Sequence, residues 1–105
     1  MTEVAGVCGV VAWTKVKPVT LEVIKICIEV RPQIEKMKED NWKIYIPVVY
    51  SQIVKGMNYV VKVLVDEHGD GVCVHAMIKL PCNGGELSVT GIQFHKKFDD
   101  PLIHF

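Results

Sequence analysis

Trp42-Lys43-Ile44-Tyr45-Ile46-Pro47-Val48-Val49-Tyr50-Ser51 runs into Gln52-Ile53-Val54-Lys55-Gly56, and Met57-Asn58-Tyr59-Val60-Val61-Lys62-Val63-Leu64-Val65 follows. Trp42, Ile44, Ile46, Val48 and Tyr50 fall on one parity. Met57, Tyr59, Val61, Val63 and Val65 fall on one parity downstream. Alternation of this length predicts two half-buried strands, each with one face on a core. The short link between them ends in Gly56, which can take positive φ, so it reads as a hairpin turn. Solvated turns are polar, yet this one carries Ile53 and Val54. Apolar groups at such a tip either tuck under the sheet or await a partner.

Upstream, Thr20 stands before Glu22 and after Pro18, which marks a helix N-cap with an acid in the first turn. Val23, Cys27, Val30, Ile34 and Met37 recur at spacings of four and three, with Ile26 widening the stripe. Leu21, Ile24 and Ile28 extend the apolar surface on another flank. A helix from Leu21 to about Met37 is expected. Pro32 removes a hydrogen bond within it and predicts a kink, because the apolar register continues to Met37.

Downstream, Pro47 predicts an edge or a bulge in its strand. His68-Gly69-Asp70-Gly71 reads as a second turn. Val72, Val74, Ala76, Ile78 and Leu80 form a third alternating run. Cys73, His75, Met77 and Lys79 occupy its other face, expected to be solvated. Leu80-Pro81-Cys82-Asn83-Gly84-Gly85 makes a further turn, again apolar at its start. Leu87, Val89 and Gly91 alternate into a last strand near residues 86–95. The expectation is an α+β domain, residues 1–105, with four to five antiparallel strands wrapped across one long helix. In a meander the turns at 52–56 and 81–85 emerge at the same end of the sheet and form a wedge. Residues 1–17 are apolar and poorly periodic. They read equally well as a frayed terminus entering an edge strand or as a trunk that packs against a partner.

Composition narrows the function. Lys plus Arg and Asp plus Glu number 12 each, so no broad field favours nucleic acid or an acidic membrane. No apolar run approaches membrane-spanning length, and residues 1–12 lack the basic and apolar regions of a secretory signal. The extended chain between Cys73 and Cys82 would span about 30 Å, far beyond the roughly 7 Å Cα separation that a disulfide tolerates. Cys27 falls on the core face of the helix. Reduced thiols and a cytoplasmic address follow. No phosphate loop, Cys-x-x-Cys or His-Glu-x-x-His spacing occurs. Cys73 and His75 share a strand face and are the best catalytic or zinc candidates, but no third group is supplied nearby. An enzyme is not expected.

Gln52-x-Val54-x-Gly56 followed by Asn58-Tyr59 resembles the first binding hairpin of the cystatins, inhibitors of papain-like cysteine proteases. Val30-Arg31-Pro32-Gln33-Ile34-Glu35-Lys36 resembles the helix of their leaderless, disulfide-free branch, the stefins. Leu80-Pro81 resembles the stefin second hairpin. Leu87-Ser88-Val89-Thr90-Gly91, with Asp99-Asp100 before an apolar end, is similar to the stefin C-terminus. The resemblance covers residues 18–105. It implies that Gln52, Ile53, Val54, Lys55 and Gly56, with Leu80, Pro81 and Cys82, enter the protease cleft. The stefin-like pair Cys8-Gly9, followed by Val10, would supply the trunk. The resemblance implies papain-like proteases of the cathepsin type as partners, with no cofactor and no metal. A monomer is expected, with Cys8 or a domain swap as routes to a dimer. The alternative function is an interaction module of the same fold that does not inhibit; a thiol- or metal-responsive protein built on Cys8, Cys73, His75 and Cys82 is more remote.

Overall fold

The computed structural model describes residues 14–39, 41–52, 58–66, 69, 71–80 and 86–103. Their elements run β1 (Lys17–Pro18), α1 (Leu21–Lys38), β2 (Ile46–Gln52), β3 (Asn58–Leu64), β4 (Val72–Lys79) and β5 (Ser88–Lys97). The strands form one antiparallel sheet in the order of the chain. The helix packs on one face of this meander, giving the expected α+β, cystatin-like architecture.

The helix begins where the sequence marks it. Thr20 holds an extended conformation and its hydroxyl accepts from the Val23 amide at 3.2 Å, satisfying one of the free N-terminal donors. It ends one residue beyond Met37. There Glu39 adopts the left-handed conformation, at φ 59°, and its amide closes back on the carbonyls of Glu35 and Lys36. Pro32 lies inside without ending it. The carbonyl that its missing N–H would have bonded belongs to Ile28, on the exposed side where water is available. Val23, Ile26, Cys27, Val30 and Ile34 are buried, whereas Met37 is 48 % exposed and does not complete the stripe.

Against this face the sheet presents Tyr50, Tyr59, Val61, Val63, Val65, Val74, Ala76 and Ile78, all buried. Trp42 closes one end of the core, stacked on Phe94 at 6.0 Å. The Arg31 guanidinium donates to the Trp42 carbonyl and pairs with Glu35, whose carboxylate accepts from the Trp42 amide. Helix and following chain are thereby tied together.

Two parities differ from the sequence expectation, each because of a bulge. Pairing shifts between Pro47 and Val49, so Pro47 opposes core-facing Val63 while Ile46 opposes Leu64 on the other face. Ile46 is accordingly 52 % exposed. A second shift, between Met77 and Ile78, places Gly91 opposite Met77 on the outer face and leaves Ile92 and Phe94 against the core. An extra residue inverts every side chain beyond it. The last strand also runs later than 86–95.

The larger correction concerns the outer face. Cys73 and His75, expected to be solvated, are completely buried, and Val60, Lys62 and Ser51 are buried beside them. Val60 and Cys73 stand apart from the helix-side core. The covering comes from distant chain. Lys62 Nζ donates to the carbonyls of Phe98 and Asp100, both at 2.5 Å, drawing residues 98–103 across this face with Leu102 buried.

Candidate functional site

Register decides where the two apolar turns leave the sheet. Gln52, the last residue of β2, opposes Tyr59, which opposes Ile78. Asn58 opposes Lys79, and Lys79 opposes Ser88. The chain after Gln52 and the chain after Leu80 therefore depart from the same end of the sheet. Gln52 is half-buried. Leu80 is half-buried too, packed against the helix-side core immediately beyond β4. Ile53, Val54, Lys55, Gly56, Pro81 and Cys82 lie outside the described residues, as do Cys8, Gly9 and Val10.

A third segment joins at this end. The Thr14 amide donates to the Gln52 carbonyl at 2.8 Å, and the Gln52 amide donates to the Thr14 hydroxyl at 3.1 Å. The Ser51 hydroxyl donates to the Thr14 carbonyl at 2.6 Å. These bonds clamp the N-terminal chain beside the last two residues of β2. Thr14 and Ser51 were not singled out by sequence reasoning. A hydroxyl pair separated by a helix leaves no local signal, although Ser51 at the end of an aliphatic strand is a polar residue in need of a partner.

The chain entering β5 is held from the helix. The Gln33 side chain donates to the Leu87 carbonyl and accepts from the Val89 amide, each at 3.0 Å. It pairs with this backbone as a neighbouring strand would. Beneath this end of the sheet lie Tyr50 and Tyr59, with ring centroids 6.3 Å apart, and the Lys17 amine sits over the Tyr50 ring at 5.6 Å. Burial, together with the Glu22 and Tyr50 charges, raises the Tyr59 hydroxyl above its ordinary value. Two packed strands, β2 and β4, and the hydrogen bonds of Thr14 thus bring three chain segments to this end.

The competing chemistry is unsupported. Burial pushes the Cys73 thiol up, only partly offset by Lys62, and its Sγ contacts the Gly71 carbonyl at 3.6 Å. A buried thiol held protonated is a poor nucleophile. No group of three or more His, Cys, Asp or Glu side chains placed to hold a metal occurs among the described residues. Nor, among them, is any helix long and apolar enough to cross a membrane.

No family model matches the chain. Curated relatives do. It is 35 % identical over 89 residues to a cystatin-B of Oplegnathus fasciatus, covering 80 % of this chain and 84 % of the relative. It is 34 % identical over 95 residues to a cystatin-A of Bos taurus, covering 88 % and 94 %. A cystatin-A3 of Dictyostelium discoideum is 32 % identical over 87 residues, covering 82 % and 87 %. With matches of this extent to both A and B forms, and with its helix across a five-stranded antiparallel meander, the chain belongs to the stefins, the type 1 branch of the cystatin family of cysteine protease inhibitors, and is not an enzyme.

Proposed function

We propose that the protein is a reversible, competitive, tight-binding inhibitor of papain-like cysteine proteases. The trunk around Gly9 and the turns Gln52–Gly56 and Leu80–Cys82 would fill the active-site cleft together. The observation that carries this reading is the convergence of three chain segments at one end of the sheet. Thr14 is bonded to Gln52, and β2 and β4 both end there.

The physics is occlusion. Apolar side chains entering the cleft contribute roughly 25 cal/mol per Å² of apolar surface removed from water. Turns carried on packed strands lose less freedom on binding than a free peptide would. A wedge assembled from three separate segments offers no continuous peptide in the orientation of a substrate, so it blocks the catalytic cysteine without being cleaved. Lys55 would stay solvated. Cys27 and Cys73, buried on opposite faces of the sheet and free, favour a reducing, cytoplasmic setting.

The test is a steady-state titration of a papain-like protease at several substrate concentrations. The expected result is a rise in apparent KM with kcat unchanged, reversed on dilution. Undiminished activity at micromolar protein, with the circular dichroism of the fold intact, would overturn the proposal in favour of a non-inhibitory interaction module.

A further inference from the structure

The outer face holds a polar row that inhibition does not use. Lys62 of β3, His75 of β4 and Gln93 of β5 oppose one another across three adjacent strands. His75 is 0 % exposed, and neither of its ring nitrogens has a hydrogen-bond partner. Across from it the Gln93 side-chain oxygen is also buried and unpartnered. On its other side the Lys62 ammonium spends itself on the Phe98 and Asp100 carbonyls. The same ammonium therefore neighbours the imidazole and anchors the C-terminal segment.

We propose that this row is an acid-released latch, in which protonation of His75 frees residues 98–103 from the outer face while the helix-side core stays folded. A proton taken up at either ring nitrogen turns the imidazole into a cation with two donors. Among the described residues, the buried acceptor without a partner that stands opposite it is the Gln93 oxygen. The groups facing it are mostly unfavourable: Lys62 from β3 and Lys96 from β5 are cationic, and Cys73 beside it on β4 carries no opposing charge. Asp100 on the covering segment is the opposing charge among the described residues. A buried, crowded cation is stabilised by hydration, and water reaches it when the covering segment lifts. The loss of Lys62's bonds to Phe98 and Asp100 then completes the release.

Titration sets the window. Burial, then Lys62 and Lys96, lower His75 from its ordinary value of 6.5 to about 4. Above pH 6.5 the imidazole is neutral whether covered or uncovered, and the latch is at full strength. As pH falls below 6.5 the uncovered state binds the proton first, so closure weakens until the covered imidazole also titrates near 4. Asp100 is held below its ordinary carboxylate value by the Lys97 amide, which donates to it at 2.7 Å, so it remains ionised through most of that interval. The response belongs to His75. Weighted over these two values, opening increases about twentyfold between pH 7 and pH 5.

Thiol labelling reads the latch directly, because Cys73 is buried on the outer face and Cys27 in the helix-side core. The full-length protein is treated with 4,4′-dithiodipyridine at pH 7 and pH 5. Sites are assigned by peptide mass and rates divided by that of glutathione. Cys73 labelling should rise about twentyfold on acidification while Cys27 stays protected. In His75→Leu the rise should vanish, and in Lys62→Met labelling of Cys73 should be fast already at pH 7. A Cys73 rate that does not change with pH overturns the proposal; so does a parallel rise at Cys27, or the same rise in His75→Leu. Should either variant fail to fold, the imidazole nitrogen resonances of the parent decide: titration of His75 near pH 6.5 contradicts the latch, and a midpoint below about 5 supports it.

Discussion

The two faces of the sheet are equally buried at their centres but differently made. Val61 on β3 points to the helix and Val60, its neighbour, points away; they are 0 % and 1 % exposed. The helix side is closed by aliphatic side chains from α1, an element that carries its own apolar stripe. The outer side is closed by residues 98–103 bonded to Lys62, and Ser51 on the same side is bonded to Thr14. The first is a packed interface. The second is a cover fixed by a few polar anchors. A face assembled in this way can open without dismantling the other, which local-stability arguments expect of segments with little apolar support.

Matched substitutions measure this difference. Val61→Ala leaves a cavity between helix and sheet that neither can fill, and should cost about 2–3 kcal/mol in urea unfolding. Val60→Ala removes the same two methyl groups beneath a cover that can settle, and should cost about 1 kcal/mol. Equal losses would mean that the outer face is as rigid as the core. A smaller effect is expected at the helix–strand junction. The Tyr45 hydroxyl donates to the Cys27 carbonyl at 2.6 Å, and burial raises it above its ordinary titration value. Tyr45→Phe should lower stability by about 1 kcal/mol and leave Cys73 labelling untouched, because that bond belongs to the helix side. A change in Cys73 labelling would couple the two faces.

The helix side was legible because its determinants are local. Thr20 announces the N-cap, the spacing from Val23 to Ile34 sets the buried stripe, and Tyr59 to Val65 alternates without interruption. The outer face was not, because alternation says which residues share a face and is silent about what lies over it. The hint was Lys62 and His75 standing inside aliphatic strands, each a polar group in need of cover or solvent. Pro47 foretold a bulge, yet its effect on Ile46 required the register. At the candidate site, the apolar tips of two turns were visible in Ile53, Val54 and Leu80. The Thr14–Ser51–Gln52 clamp joins residues on either side of the helix, so no periodicity reports it. Glu39 in the left-handed conformation at the end of the helix was equally silent, since glycine is the usual signal there.

In the proposed mode of inhibition one end of the sheet, and neither of its faces, meets the protease. Hydrogen exchange of the protein alone and bound to a papain-like protease tests this most directly. Slowed exchange is expected at Thr14, at residues 52–59 and at residues 79–88. None is expected at the opposite end, where the Val65 amide donates to the Val72 carbonyl and the Asp100 amide to that of Lys97. Protection confined to that opposite end, or to the outer face around Lys62 and His75, would contradict it.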